Sequence, residues 1–398
     1  MLQAGQLFSS AGTQLTAIAY PLLVLSVTHS PAKAGFVTFA RLVPFAAFGL
    51  LAGLAADRWK RRRIMIAADG VRALAVAGLA ATILLDQVAP WQIALAAFVE
   101  GTGATFFGAA QTGALRAVVP HGELPAAVGV QETRAAAVRL AGPPLGGALF
   151  GLGRAIPFLA DCVSYACSIV ALLAMRTPFQ EDRERDSAPL RSQLAEGFRF
   201  LWGHAFLRTC AFLYGLGNFT IPAVLLVVIV VGERQGLSGS QIGLLIGAWA
   251  LGMLIGSLLS PFFRRRFSMR TILLLELWAG LGSALFIVWP NVYVLTAGIL
   301  PLAAALPVTD SVVIGYRVAI TPDRLLGRVE SVRSTISLLI APLGPLVAGV
   351  LLSSVSARLT IAVFFGFSLV LAFWGTLSPS IRNAPSLAEL DERSLQSR

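Results

Sequence analysis

Apolar residues fill this chain in long blocks. They do not alternate as on a half-buried strand, nor form the single stripe of a soluble surface helix. Twelve blocks fall near 2–27, 35–56, 64–85, 91–113, 125–151, 154–176, 206–231, 239–262, 271–289, 292–316, 328–353 and 356–378. Each is close to the roughly 20 residues that cross a bilayer as a helix. Short polar turns join them, with one long interruption at 177–205. That stretch is charged and then amphipathic. Leu190, Leu194, Phe198 and Leu201 recur at helical spacing, which predicts a helix lying along the membrane surface. The expected fold is all-α and membrane-integral: a six-helix bundle over 1–176, a cytoplasmic linker over 177–205, a second bundle over 206–378, and a cytoplasmic tail over 379–398.

Composition agrees with a lipid-facing exterior. Of 398 residues, 56% are hydrophobic and 13% charged, against about 25% charged in soluble domains. Mean hydropathy is +0.77. The net charge of +11 does not indicate a nucleic-acid partner, because the basic residues sit between apolar blocks and not along one face. Their distribution orients the chain instead. With a cytoplasmic amino terminus, twenty Lys or Arg fall in or beside the inner loops and tail, and only Lys33, Arg154, Arg234 and Arg358 beside the outer ones. That bias puts both termini in the cytoplasm of a plasma-membrane protein. The first block is too long for a cleavable signal peptide and has no basic lead, so no such peptide is expected.

The remaining chemistry is sparse. Cys162, Cys167 and Cys210 lack metal-ligand spacing and read as packing thiols, while His29, His121 and His204 lie in or beside loops. No metal site or cofactor is expected. The chain also lacks a phosphate-binding Walker loop, a zinc-protease HExxH and a serine nucleophile elbow, so an enzyme is not indicated.

The chain repeats itself. "GLAADRWKRRR" from Gly53 returns as "GSLLSPFFRRR" from Gly256, each ending one apolar block and opening a cytoplasmic turn. "PHGELPAAVGV…AGPPLGG" from Pro120 returns as "PDRLLGRVESV…LGPLVAG" from Pro322. The two offsets agree to within one residue and divide twelve blocks into six plus six. An even number of spans per half makes the halves parallel repeats about an axis along the membrane normal, an arrangement of secondary transporters that hold substrate between the halves.

These residues resemble the major facilitator superfamily. Gly53, Asp57, Arg58, Arg61, Arg62 and Arg63 match its first cytoplasmic-loop signature, with Lys60 in place of a customary glycine. Gly129, Gly142, Pro143, Gly146 and Gly147 resemble its helix-five antiporter motif, with Val138 replacing one glycine. "GQLFSSAGTQLTAIAYPLLV" and "GRAIPFLADCVSYACS" narrow the likeness to the branch of macrolide-efflux proteins and the enterobactin exporter. The resemblance implies a monomeric exporter of an amphiphilic small molecule (a drug, macrolide or siderophore) working by proton antiport. A nutrient importer or lysophospholipid flippase of the same fold is the alternative.

Physical roles follow for the motifs. Asp57 and Arg61 can pair if the helix runs on. A glycine at 53 lets a neighbouring helix approach, which in the family is helix eleven, so the turn is either a latch or a plain positive anchor. The Gly-Pro pairs at 142–143 and 344–345 should bend their helices, for rocking or for packing alone.

Charges inside the bilayer are functional candidates by default. Counting residues from the outer ends places Arg41 and Asp161 about 9–11 Å deep, and Glu100 and Arg139 roughly 13–17 Å deep. Arg41, Arg139 and Asp161 are expected in one charge cluster, either structural or functional. Glu100 is the leading proton-coupling residue, because changing access to a cavity changes the solvation of a carboxylate and so its hold on a proton. Asp310 and Glu132 are the other coupling candidates. Glu132 can instead pair with Arg72 or Arg139, and Asp69 with Arg72. Gln6, Ser10, Thr13 and Gln14 on helix one, with Tyr214 and Asn218 on helix seven, are candidates to line a cavity or to pack helices.

Overall fold

In the computed structural model, residues 2–118, 124–175 and 190–383 are described, with side chains from 7–114, 129–175, 195–322 and 325–383. The first linker residues, 177–189, the start of the second repeat motif at Pro120 and the tail beyond Asn383 lie outside this set. Every described element is helical: α1 Leu2–Thr28, α2 Pro31–Arg58, α3 Arg61–Leu84, α4 Pro90–Val118, α5 Leu124–Leu152, α6 Ile156–Ala174, α7 Leu190–Gly203, α8 Ala205–Arg234, α9 Gly239–Arg266, α10 Met269–Ala279, α11 Leu285–Val288, α12 Val292–Ile320, α13 Asp323–Ile340, α14 Leu343–Ser354, α15 Ala357–Leu377 and α16 Pro379–Arg382. Twelve membrane-crossing segments of adequate length and apolarity are found among the described residues. Ten are single helices. The ninth joins α10 to α11 through a tight 3₁₀ turn at Gly280–Ala284, and the eleventh joins α13 to α14.

Local chemistry sets the ends of these helices. Ser30 accepts from the Lys33 amide ahead of α2, and Pro31 fills the first helical position, where no donor is needed. Ser268, Asn291 and Ser356 accept from the amides of Thr271, Tyr293 and Leu359 at the starts of α10, α12 and α15. The two Gly-Pro copies behave differently. α5 runs unbroken through Pro143 and Pro144. The eleventh crossing is interrupted at Ala341–Pro342, just ahead of Gly344-Pro345, where two prolines within four residues withdraw two backbone donors.

The chain divides into two compact units. Unit one holds residues 1–185, 225–247 and 345–354; unit two holds 186–224, 248–344 and 355–398. Small residues let backbones meet inside unit one. A Cβ at Gly35 would collide with the carbonyl of Pro345, and one at Gly147 with the carbonyl of Gly239. The guanidinium of Arg234 donates to the Leu352 carbonyl at 2.9 Å, fixing α8 to α14 within the same unit. Unit two is built around Phe206, Leu213, Met269, Leu273, Val312 and Tyr316, with the Phe206 and Tyr316 rings edge-on at 4.5 Å.

The amphipathic linker forms α7, and it packs against protein. Leu201 is buried with Leu325, Val329 and Val332 of α13, and Glu196 pairs with Arg328. The side chains of Leu190 and Leu194 lie outside the described set. Phe198 and Trp202 stack at 5.1 Å on the exposed face, the part of α7 left for an apolar surrounding.

Candidate functional site

The densest polar cluster of unit one lies where α1, α2, α3, α4 and α6 converge. Glu100 on α4 and Asp161 on α6 are both fully buried. Arg41 on α2 approaches Glu100 at 3.1 Å and donates to the Thr13 carbonyl at 2.9 Å. Arg72 pairs with Asp69 at 3.0 Å on α3, lies over the Tyr165 ring at 4.2 Å, and donates to the Thr13 hydroxyl. Ser9 donates to Asp69 at 3.1 Å.

One hydroxyl joins the two deepest acids. Thr16 Oγ1 lies 3.4 and 3.3 Å from the two Glu100 oxygens and 3.1 Å from Asp161 Oδ2. A threonine hydroxyl carries one hydrogen, so it cannot donate to both carboxylates at once. The cluster also holds three carboxylates, at Asp69, Glu100 and Asp161, against two guanidiniums, at Arg41 and Arg72. Full ionisation would leave one uncompensated negative charge away from water, which is costly. One proton held within the cluster would remove that charge and add a donor.

Glycine makes the convergence possible. A Cβ on Gly12 would collide with Asp161 Oδ1 and Ser164 Oγ, and one on Gly101 with the Arg41 carbonyl. α1 and α6, and likewise α2 and α4, can therefore touch at the cluster itself.

Other sequence candidates fall elsewhere. Arg139 does not join Arg41 and Asp161; it sits 3.8 Å from Glu132, with side chains 48% and 67% exposed. Counting residues along α5 carries no information on the face of the helix that Arg139 occupies. Arg72 and Asp69 take its place. Of the helix-one candidates, Thr13 is part of the cluster, Ser10 is half-buried, Gln14 packs its Cβ at the Gly142 position, and the side chain of Gln6 lies outside the described set.

In the turn between α2 and α3 the helix does not run on: α2 ends at Arg58, Trp59 is extended, and α3 starts at Arg61. The i,i+4 geometry expected for Asp57 and Arg61 is therefore not available. Arg61 instead donates to the Gly113 carbonyl at 2.8 Å and the Ala56 carbonyl at 3.3 Å, and Arg62 to the Leu173 carbonyl at 2.6 Å. Both arginines thus serve carbonyls near helix carboxyl ends, the favourable pole of the dipole for a cation. Asp57, Arg58 and Arg63 are exposed. Lys60 has φ −62°, which any residue adopts, so the missing glycine changes nothing in this turn. Among the described residues, added Cβ atoms at Gly53 and Gly129 would meet nothing within 4 Å. Gly142 and Gly146 pack closely on α1.

Unit two presents cavities. One of about 70 Å³ and one of about 230 Å³ share walls at Cys210, Tyr214, Asn218 and Leu306. Tyr214 and Asn218 line both chambers, and Asp310 lines the larger one with Arg317 and Arg333. Glu276 on α10 faces the smaller one, buried, with the Tyr214 hydroxyl donating at 3.2 Å. Sequence reasoning passed over Glu276, although it lies inside an apolar block and the rule that flagged Glu100 applies to it equally. Among the described residues no group of His, Cys, Asp and Glu is arranged to hold a metal ion.

Twelve apolar crossings with buried charge clusters and internal cavities define a multi-pass membrane transporter. The sequence pattern of the Major Facilitator Superfamily matches residues 3–306 and 209–397. The chain belongs to that family. It is similar to the multidrug efflux pump Tap of Mycolicibacterium fortuitum, 27% identical over 97% of this chain and 95% of the relative. It is also similar to the enterobactin exporter EntS of Escherichia coli, 28% identical over 79% of this chain and 76% of the relative. Among solved structures, a bacterial homologue of the lysosomal transporter Spinster superposes with a TM-score of 0.74 at 16% identity, covering 96% of this chain and 95% of the other.

Proposed function

We propose that this chain exports an amphiphilic small molecule from the cell by proton antiport, acting as a monomer through alternating access between two six-helix bundles. Both termini face the cytoplasm in this reading, as the positive-inside bias favours. Export is favoured by the efflux functions named for the two relatives, Tap and EntS. The observation that carries the coupling is the enclosed trio of acids against two arginines, with Thr16 between Glu100 and Asp161. A closed cluster that must hold one proton, and whose closure depends on helices moving together, can release that proton when motion admits water. Glu100 remains the leading coupling residue and Asp161 becomes its partner. Glu132 is demoted, because it is two-thirds exposed beside Arg139.

Accumulation of a labelled compound panel in cells with and without the protein, each with and without a protonophore, tests this reading. Export predicts lower accumulation of the cargo in cells carrying the protein, with the difference abolished by the protonophore. Higher accumulation in those cells would show import, and a difference that survives the protonophore would remove proton coupling.

A further inference from the structure

We propose that the corner where α7 meets α8 is a docking site for an anionic phospholipid, its phosphate held by Arg199 and Arg208. Such a site would operate whatever the cargo and whether or not protons are coupled. α7 is not one of the twelve crossings, and the seventh crossing begins just beyond it at Ala205. Trp202 and Arg208 flank that entry point, at the level where headgroups meet hydrocarbon.

One face of α7 is fixed to protein. Leu201 is buried with Leu325, Val329 and Val332, and a Cβ on Gly197 would collide with the Arg328 carbonyl. The outer face carries Phe198 and Trp202, 45% and 44% exposed and stacked at 5.1 Å. Phe212 of α8 meets the Trp202 ring edge-on at 5.9 Å and closes the corner. The result is a flat apolar platform, held in place before any lipid arrives.

Two cations border the platform. The Arg208 guanidinium lies 5.6 Å over the Trp202 ring and donates through Nη1 to the Trp202 carbonyl at 3.0 Å. That bond leaves its other donors for a ligand. Arg199 is exposed three residues before Trp202, and so is its neighbour on the helix surface. Among the described residues neither arginine takes part in an ion pair. Glu196, the acid of α7, is taken by Arg328, and no Asp or Glu occurs from Gly197 to Gly232. The local charge is therefore positive and uncompensated.

A guanidinium fork matches paired phosphate oxygens, and aromatic rings settle where headgroup gives way to acyl chain. A zwitterionic head would bring its own ammonium against the same two arginines. An anionic head brings none, so charge complementarity selects it.

The probe is phosphatidylglycerol with a photoreactive diazirine near the head of one acyl chain, and phosphatidylcholine built the same way. Each is added as a minor component to phosphatidylcholine vesicles holding the full-length protein. Labelled peptides are counted by mass spectrometry after chymotryptic digestion, which the arginine substitutions leave unaltered. Labelling of residues 195–212 by the anionic probe should exceed that by the zwitterionic one at least about tenfold. Arg199→Gln combined with Arg208→Gln should lower the anionic label there by about tenfold, while label around Arg264–Arg266 stays within about twofold of wild type. Trp202→Leu, which removes the ring beneath Arg208, should lower it by about threefold.

Equal labelling of this segment by the two lipids overturns the proposal, as does the double variant labelling within about twofold of wild type. Equal loss at the corner and around Arg264–Arg266 also overturns it, because the effect would then belong to overall charge. Abolition of the label by excess inorganic phosphate at constant ionic strength would show a site for free anions and remove the lipid.

Discussion

Replacing Arg41 by Met removes the cation that faces Glu100 while keeping most of the side-chain volume. The two groups are 3.1 Å apart, with side chains 17% and 1% exposed. At an effective dielectric of about 20 that separation corresponds to about 5 kcal/mol of attraction, before the water near Arg41 and the desolvation of both groups are considered. Arg41 also donates to the Thr13 carbonyl, a bond contributing about 1 kcal/mol. Breaking a buried pair from one side costs about 3–5 kcal/mol, because the other charge stays in place. The Arg41 side chain keeps some exposure to water, which places the expected cost of Arg41→Met near the low end, about 3 kcal/mol. Glu100→Gln removes the stranded charge, and the double variant should therefore recover about 2 kcal/mol relative to the sum of the single changes. Equilibrium unfolding in mixed detergent micelles, on the wild type, both single variants and the double, gives the four free energies needed. Additivity within about 0.5 kcal/mol would refute the pairing and the charge count built on it.

Further expectations concern the same cluster and its scaffold. Thr16→Val removes the shared donor while nearly keeping the shape, and should reduce protonophore-sensitive efflux by about tenfold or more at unchanged expression; unchanged efflux would detach Thr16 from coupling. Gly12→Val should lower stability by about 1–3 kcal/mol, because the added atoms overlap Asp161 and Ser164. Gly53→Ala meets open space in the interior of α2 and should leave stability unchanged or raise it by about 0.5–1 kcal/mol, a contrast that melting curves read directly. Gly147→Leu should abolish efflux by displacing α9 from α5 at the Gly239 carbonyl, and wild-type transport by that variant would show the approach to be dispensable.

The crossings were legible because apolar length is a direct requirement of the hydrocarbon layer. The block at 239–262 continues as helix to Arg266, since three terminal arginines complement the dipole and reach water without ending the helix. The interruption at Gly280–Ala284 was not legible, because an apolar block has the same composition whether its helix is continuous or broken. Within the site, Arg41, Glu100 and Asp161 follow from the expense of intramembrane charge. Asp69 and Arg72 were legible as a local pair, but their membership in the cluster depends on α6 packing against both α1 and α3, and on α4 packing against α3. Gly12 permits the α1–α6 approach and Gly103 the α3–α4 approach, and nothing in the local sequence specifies them. Arg139 shows the opposite limit: its height along the helix could be counted, but its azimuth depends on how α5 is rotated in the bundle. Glu276 carried an adequate signal, a lone acid among leucines in "TILLLELW".

Proton movement itself is the most direct test. Purified protein is reconstituted with a pH dye trapped inside the vesicles, the membrane potential is clamped, and the compound identified by the accumulation panel is added outside. The wild type should move protons outward as the compound enters, and Glu100→Gln should carry the compound without moving protons or not carry it at all. Equal proton movement by wild type and Glu100→Gln would contradict the account.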